Sequence, residues 1–328
     1  MNSVKLLMAT LCIGAVSTPA KSEKSDGHRE KHIANRTLNF RWLNNAGFEI
    51  VLPGGAHVLI DPWLDSAEFH PVSLAQIACA DYILLSHIHA DHVADIRRIQ
   101  QKFPDVRIFV GSLSAEPFAK AYNLDTSKLY KVSDGQEFRF DDVTIKSFAG
   151  RHTESKSGNY LTWDQQGNLT QASWGTLDLY QYLITDRDGT KFLVWGGTPS
   201  VDNAYRLKGL RPDIAVVHLS PKQDFAVLAR IISAIEPKIV MPHHYDIWPT
   251  ILRNKPAEAV QFPAEVQPVE PDTVIGKMMP FAEKKLRNGG MTARYFTPDH
   301  NRWYRYIRKG HAIIPIPSPD EGTGSPKG

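Results

Sequence analysis

Residues 84–96, LLSHIHADHVADI, decide the fold because they place three histidines and an aspartate within six residues, where an apolar run meets a helical pattern. His87 and His89 are two apart on an extended segment and point the same way, while Asp91 and His92 begin the helix. Imidazole and carboxylate groups are ligands for zinc and related divalent ions. The stretch therefore predicts a metal site at a strand-to-helix turn. Asp91 could instead cap the helix beside solvated histidines, but capping needs only one of these four residues.

Short apolar runs bounded by turn residues predict strands on both sides of this motif. One helix is expected from Asp91 to Phe103 and another around Ser114 to Tyr122, and a third should begin at Ser220-Pro221 and stop at Pro237. Hairpin blocks come first in each half of the chain, and βα units close each half. This order predicts an α/β (α+β) protein in which two stacked sheets are flanked by helices. The strand segments are FRWLNNAGFEIVL, HVLIDPWL, YILLS, VRIFV, EFRFDDVTIKSFAG, LYQYLITDRDGTKFLVWGG, DIAVVHL and KIVMP.

The N-terminus has the three-part layout of a secretory signal peptide: Lys5, an apolar run from Leu6 to Val16, and small residues ending at Ala20. The apolar run is too short to span a bilayer. We therefore expect residues 1–20 to be a cleaved signal and 21–36 a polar leader, followed by one domain over 37–316 and a disordered tail over 317–328. Cleavage would leave Cys79 as the single cysteine and would exclude an internal disulfide. The mature protein is expected to be periplasmic or secreted, with no transmembrane segment.

Charge and composition favour a small-molecule partner. The formal net charge is +3 over 328 residues, and there is no long block of lysine and arginine. A nucleic-acid-binding protein usually shows a basic patch, so nucleic acid is not expected as a partner. We expect a small-molecule or lipid-like substrate.

The motif His-x-His-x-Asp-His at residues 87–92 resembles the signature of the metallo-β-lactamase-fold superfamily. Weaker similarities in RWLNNAGFEI, LIDPWL and MPHHYDIW extend the resemblance over about residues 38–250. They are closest to the branch with ascorbate-phosphate lactonases and the N-acyl-phosphatidylethanolamine phospholipase D type. The resemblance implies a four-layer αββα sandwich with a metal site at the sandwich edge.

The same resemblance implies two sets of metal ligands. His87, His89 and His152, the last in SFAGRHT, would hold one ion, and Asp91, His92 and His244 would hold the second. His152 could instead be a surface loop residue. His243 could replace His244 as the ligand, since neighbouring residues at a strand end point apart and only one is expected to bind.

One position departs from the superfamily pattern. The resemblance implies a Gly-Asp-Thr motif, whose aspartate bridges two metals. This chain has VWGGTPSVDN there, with Gly197 in the position of the aspartate. Two dications close together need negative charge between them. Asp202 could supply the missing carboxylate, the site could hold one metal, or the protein could be a weakly catalytic relative.

Three further residues are candidates for contacts behind the ligands or with substrate. Asp61 in IDPWL could accept a hydrogen bond from a ligand histidine and fix its ring, or it could be a turn residue before proline. His218 could face the substrate or be a half-buried structural histidine, and Tyr245 could border the site.

The predicted activity is metal-assisted hydrolysis of a lactone, ester, amide or phosphodiester bond. Zinc is the expected cofactor, as one or two ions, with manganese or iron as alternatives. Asp91 is the expected catalytic residue, because a carboxylate beside the nucleophile can orient water and carry its proton. The alternatives are a non-catalytic metal-binding or sensing protein of the same fold and, disfavoured by export and charge, a nuclease.

Overall fold

The computed structural model describes residues 37–69, 71–152, 162–163, 169–170, 178–197 and 201–317. The predicted signal peptide and leader, and the predicted tail beyond residue 317, lie outside the described residues, as does the segment 153–161 after His152. Among the described residues, none of the helices combines the length and apolar character needed to cross a bilayer.

The described elements include every strand segment that the sequence predicts, and beyond residue 243 they include helices and strands that it did not predict. The strands are β1 (Leu38–Asn44), β2 (Gly47–Val51), β3 (His57–Ile60), β4 (Tyr82–Leu84), β5 (Arg107–Gly111), β6 (Leu129–Val132), β7 (Glu137–Arg139), β8 (Val143–Ala149), β9 (Thr162–Trp163), β10 (Leu169–Thr170), β11 (Tyr180–Asp186), β12 (Lys191–Trp195), β13 (Ile214–His218), β14 (Ile239–His243), β15 (Arg294–Tyr295), β16 (Trp303–Ile307) and β17 (Ala312–Pro315). The helices are α1 (Ala90–Val93), α2 (Ile96–Lys102), α3 (Ala115–Tyr122), α4 (Val201–Leu207), α5 (Phe225–Ile235), α6 (Trp248–Asn254) and α7 (Val274–Asn288), with short 3₁₀ turns at Leu74–Gln76, Thr126–Lys128, Pro256–Gln261 and Pro271–Thr273.

These strands form two large mixed sheets. The first has eight strands in the order β17-β16-β1-β2-β3-β4-β5-β6, and the second has seven in the order β15-β14-β13-β12-β11-β8-β7. Strands β3, β4, β5 and β6 run parallel in the first sheet, and β12, β13, β14 and β15 run parallel in the second. The carboxyl ends of parallel neighbours meet at one edge of each sheet, which is where open α/β sheets place their ligands.

Side-chain alternation along β4 explains the layering. Tyr82 and Leu84 lie in an apolar core that also contains strand residues of the second sheet, so this core lies between the sheets. Ile83 and Leu85 point to the opposite face, into a second core with residues of α1, α2 and α3. Helices α5 and α7 contribute Leu228 and other apolar residues against the second sheet. The result is the predicted four-layer αββα sandwich.

The single helix predicted from Asp91 to Phe103 is wrong. The structure has two helices there, and between them Asp95 adopts φ −94° and ψ 0°. Its buried carboxylate accepts hydrogen bonds from the Leu64 amide and from the amide and hydroxyl of Ser66, with Oδ2 at 2.6–3.1 Å. The helix is interrupted here because the Asp95 side chain accepts hydrogen bonds from the preceding loop.

The predicted helix start at Ser220-Pro221 is also wrong. Helix α5 begins at Phe225, where the carboxylate of Asp224 accepts hydrogen bonds from the Ala226 and Val227 amides at 2.9 and 3.1 Å. An aspartate cap satisfies amides that the first helical turn leaves unpaired, so it outweighs the proline signal. The helix ends just before Pro237, as predicted.

Candidate metal centre

The histidine-rich motif lies at the carboxyl end of β4. His87 and His89 follow the strand in extended backbone, and Asp91 and His92 belong to α1. The backbone of Ser86 accepts a hydrogen bond from the Tyr180 amide at 2.8 Å, which fixes this strand end against the second sheet. The motif therefore faces the loops that follow β8, β12, β13 and β14.

A first group of donors contains His87, His89 and His152, whose ligand atoms all lie within 4.8 Å of one another. The Nε2 atom of His87 is 3.0 Å from Nδ1 of His89. Two imidazole nitrogens around a tetrahedral zinc, with bonds near 2.0–2.1 Å, would be about 3.3 Å apart. The structure thus brings His152, predicted from its place after a mid-chain strand, to the opening motif.

A second group contains Asp91, His92 and His244, again with all ligand atoms within 4.8 Å. Oδ2 of Asp91 is 3.7 Å from Nε2 of His92 and 3.4 Å from Nε2 of His244. The rings of His87 and His92 are 4.0 Å apart, so the two groups adjoin. The residues that the family resemblance assigns to two metals form two adjacent sets of three donors.

A buried Asp61–Ser86 pair holds one ring from each set. Asp61 accepts hydrogen bonds from the Ser86 amide at 2.7 Å and from its hydroxyl at 2.6 Å, and its Oδ2 is 3.0 Å from Nδ1 of His92. The Ser86 oxygen is also 3.0 Å from Nδ1 of His87. Both histidines thus use Nδ1 for support, which leaves Nε2 for a ligand. Asp61 occupies the supporting position proposed from the sequence.

The donor chemistry fits a divalent cation. Nε2 of His92 is buried and has no hydrogen-bond partner among the described residues, although it is surrounded by polar groups. An unpaired buried nitrogen is costly unless something binds it. Five imidazoles and one carboxylate, in two sets of three, suit zinc or a related first-row ion and leave coordination positions open.

Electrostatics favours the metal-binding protonation states of His87 and Asp91 but not that of His92. Burial opposes protonation of His92, but the carboxylates of Asp91 and Asp61 outweigh it and raise the pKa of this imidazole. Burial, together with the neighbouring His92 and His89, holds the pKa of His87 well below its usual value, so this imidazole is neutral. Burial opposes ionisation of Asp91, but His92 and a hydrogen bond from His244 outweigh it and lower the pKa of this carboxyl. Neutral histidine and ionised aspartate are the ligating forms.

The backbone at the end of β14 directs the side chains of His243 and His244 to different places. His243 is fully buried, and its Nε2 is 2.9 Å from the backbone oxygen of Trp195. Burial lowers the pKa of His243 to about 3, so it is neutral and donates this hydrogen bond. His244 leaves the strand with φ +64°, and this left-handed turn directs its ring to Asp91.

Gly197 lies where the superfamily resemblance expects a bridging aspartate. Its φ is +91°, and a Cβ there would be 2.4 Å from the Arg151 carbonyl oxygen and 2.8 Å from Leu179 Cδ1. The backbone therefore has no space for a side chain. Asp202, the suggested substitute, is exposed on α4 and belongs to neither donor set.

The remaining predicted residues lie beside the ligands in different environments. The ring of His218 is 4.6 Å from that of His244, and its buried Nδ1 has no partner among the described residues. Burial and the adjacent His244 and His243 hold the pKa of His218 well below its usual value. Tyr245 is buried in the core, and its ring is 5.1 Å from that of Trp42.

Sequence reasoning missed a supporting residue from the β1–β2 turn. The Asn45 side-chain amide donates to Oδ2 of Asp91 at 2.9 Å, and the Asn45 carbonyl accepts from the His244 amide at 2.9 Å. The backbone N–H of Asn45 donates to Oδ2 of Asp246 at 2.8 Å, and Nε2 of His300 lies 2.8 Å from the same carboxylate oxygen. RWLNNAGFEI carried a weak signal for Asn45 and MPHHYDIW one for Asp246, whereas nothing local in the sequence points to His300.

Comparisons with known proteins agree with this geometry. A family model described as a β-lactamase superfamily domain matches residues 56–245. A metal-dependent hydrolase of Koribacter versatilis is 24% identical over 228 residues, which cover 69% of this chain and 91% of the relative.

Two solved structures share the fold. Igni18, a metallo hydrolase from Ignicoccus hospitalis, aligns with a TM-score of 0.57 and 14% identity over 83% of this chain and 99% of its own. The metallo-β-lactamase fold protein YhfI from Bacillus subtilis aligns with a TM-score of 0.53 and 11% identity over 82% and 99%. Because the family model spans more than half of the chain, this protein belongs to the β-lactamase superfamily.

Proposed function

We propose that this protein is an exported metal-dependent hydrolase that cleaves a lactone, ester, amide or phosphodiester bond of a small or lipid-like molecule. The observation that carries the proposal is the pair of adjacent donor sets, one of three histidines and one of Asp91, His92 and His244. Superfamily membership and relatives named metal-dependent hydrolases support the reaction class. Export rests on the signal-like layout of residues 1–20.

The two sets would hold two divalent cations, with zinc as the proposed ion. Such cations supply Lewis-acid polarisation of the bond to be cleaved and lower the pKa of water toward neutrality. His87, His89 and His152 are uncharged donors, so the first set adds no negative charge of its own. Asp91 is the one carboxylate in the two sets, and it therefore balances positive charge for both.

Asp91 also provides the proton-handling group. Its Oδ2 accepts from Asn45 and lies within 3.4–3.7 Å of two imidazole nitrogens, so its position is fixed before substrate arrives. A fixed carboxylate can orient an attacking water and accept its proton. The ring of His218 lies 4.6 Å from that of His244 and borders the same space, so His218 is a candidate for contact with the substrate.

The test combines metal content with activity. Purified protein is analysed by mass spectrometry for zinc, manganese and iron, and is assayed on a panel of lactones, esters, amides and phosphodiesters. We expect two equivalents of metal in the wild type and about one in His152→Ala. Asp91→Asn should lower kcat by about 10²–10⁴-fold, in the range typical of general acid–base groups. His311→Ala, at a half-exposed histidine outside both sets, is the matched control.

Stoichiometric metal without turnover on any member of the panel would refute the proposal that this protein is a hydrolase. It would favour a metal-binding or sensing protein, the alternative that Gly197 supports. Full metal content in His152→Ala would overturn the first ligand set. Export is tested separately by locating the chain in cell fractions and sequencing its mature N-terminus.

A further inference from the structure

Asn45 contacts two residues of the second donor set from an unusual backbone conformation. It lies in the turn between β1 and β2 with φ +41°, in the left-handed region that favours glycine. Asparagine tolerates this region better than most residues, but such a conformation persists only where the surrounding contacts fix it. The contacts that fix Asn45 therefore bear on the donor set.

The hydrogen bonds of Asn45 link its conformation to both donor residues. Its side-chain amide donates to Oδ2 of Asp91 at 2.9 Å and to the Asp91 carbonyl at 3.2 Å. Its own carbonyl accepts from the backbone N–H of His244 at 2.9 Å. A rotation of the Asn45 backbone would therefore move the amide away from Asp91 and the carbonyl away from His244.

One carboxylate oxygen fixes the Asn45 backbone from the other side. The N–H of Asn45 donates to Oδ2 of Asp246 at 2.8 Å, and Nε2 of His300 lies 2.8 Å from the same oxygen. A carboxylate can only accept, so Nε2 of His300 carries the hydrogen. Hydrogen bonds to a carboxylate are about twice as strong as bonds between neutral groups. Since the Asp246 side chain is only 6% exposed, both bonds are shielded from water.

Stacking on Trp42 fixes the His300 ring. The two ring centroids are 3.8 Å apart with 19° between the planes, and the ring of Phe69 lies 5.3 Å from that of His300. The indole N–H of Trp42 donates to the Asn45 carbonyl at 3.1 Å. The contacts therefore form a closed circuit, from Trp42 through His300 and Asp246 to Asn45 and back to Trp42.

We propose that Asp246 and His300 are positioning residues for the second donor set. They hold Asn45 in its left-handed conformation, and Asn45 places the Asp91 carboxylate and the His244 backbone where one ion binds. The inference rests on the proposed function, because it assumes that this set binds a metal. His87 of the first set is supported by Ser86 instead, so loss of the pair should weaken one of the two ions.

Two variants of His300 separate its hydrogen bond from its packing. His300→Phe keeps a ring that can stack on Trp42 but removes the donor to Asp246, whereas His300→Gln supplies an N–H donor again. A chelator competition measures the affinity for each equivalent of zinc. We expect His300→Phe to weaken one equivalent by about tenfold and to leave the other unchanged, at the lower end of the loss usual for groups behind a ligand, because His300 acts through two further residues. His300→Gln should restore most of that affinity.

His57→Phe is the matched control. Nδ1 of His57 is 3.0 Å from Oε1 of Glu49, and the two histidine side chains are similarly exposed, 18% for His57 and 24% for His300. His57 belongs to neither donor set, so both zinc affinities should stay unchanged. Asp246→Asn, which removes the charge and keeps the shape, is a second test variant if His300→Phe does not fold. Unchanged affinity in the test variants, or an equal loss in His57→Phe, would overturn the positioning pair.

Hydrogen exchange in the metal-free protein tests the pair without any ion. We expect the Asn45 N–H to exchange about tenfold faster in His300→Phe than in the wild type, as for the loss of about one net hydrogen bond, and at the wild-type rate in His57→Phe. A wild type that binds no divalent cation would refute the proposed hydrolase, whereas unchanged Asn45 exchange would refute the positioning pair. The two proposals can therefore fail separately.

Discussion

Replacing Gly197 by aspartate would restore, in sequence, the carboxylate that the superfamily resemblance places between two metals. We expect Gly197→Asp to destabilise the protein instead of strengthening its metal binding. The physical reason is local: the glycine has φ +91°, and its missing Cβ would meet the Arg151 carbonyl oxygen at 2.4 Å. A carbonyl oxygen belongs to the backbone and cannot rotate away as the end of a side chain can.

The expected loss has two parts. A side chain held at an unfavourable positive φ costs about 1–3 kcal/mol, and overpacking a buried position typically costs about 1–3 kcal/mol. Their sum, about 2–6 kcal/mol, is a large part of the 5–15 kcal/mol by which a typical domain is stable. A second clash, with Leu179 Cδ1 at 2.8 Å, puts the expected value in the upper half of that range.

Urea unfolding measures the free energy of unfolding, and mass spectrometry measures metal in the same samples. Gly209→Asp is the matched control, because Gly209 also has a positive φ, +68°, but no atom lies within 4 Å of its missing Cβ. The difference between the two variants isolates the steric part. Equal losses at both positions would refute the steric argument. A Gly197→Asp protein of normal stability with tighter metal binding would show that the bridge can be restored.

Four further substitutions distinguish residues that support the donor sets from residues proposed to bind metal. Asp61→Asn should lower metal affinity by about 10–100-fold, as is usual when the acceptor behind a ligand histidine is weakened, and a chelator titration measures it. Asn45→Ala removes a donor to Asp91 and should release one metal of two while the other stays, as checked by metal analysis; loss of both or neither would contradict it. His243→Ala should reduce the free energy of unfolding by about 2–5 kcal/mol, as for a large buried side chain, without reducing metal content, whereas His244→Ala should reduce metal content.

The sequence predicted the layers of the fold because the order of its hairpin blocks and βα units is typical of two stacked sheets flanked by helices. It failed at two helix boundaries that a carboxylate sets, the interruption at Asp95 and the helix start after Asp224. Asp95 lies inside a helical pattern but binds a loop about thirty residues earlier in the chain, and Asp224 outcompetes Ser220-Pro221 as a cap. Such choices depend on tertiary contacts that no local pattern contains.

The candidate site likewise contains residues that the sequence predicts and residues that only the structure shows. The predicted ligands His87, His89, Asp91 and His92 form a continuous motif, so spacing alone groups them. His244 was separated from His243 only by a left-handed turn in the structure, since both follow the same strand. Asp61 was named as a possible supporting residue, whereas Asn45 and His300 were harder to predict because they lie far along the chain from the ligands that they support and outside any metal-ligand pattern.

The origin of those supporting residues bears on how the site is built. The family model covers residues 56–245, yet Asn45 lies before this segment, and Asp246 and His300 lie after it. His300 stacks on Trp42 with ring centroids 3.8 Å apart and holds Asp246, which holds the Asn45 amide. Asn45 in turn contacts Asp91 and the backbone of His244. The first hairpin and the C-terminal segment therefore help to fix the geometry of the second donor set. The second donor set thus depends on contacts with residues that lie outside the segment matched by the family model.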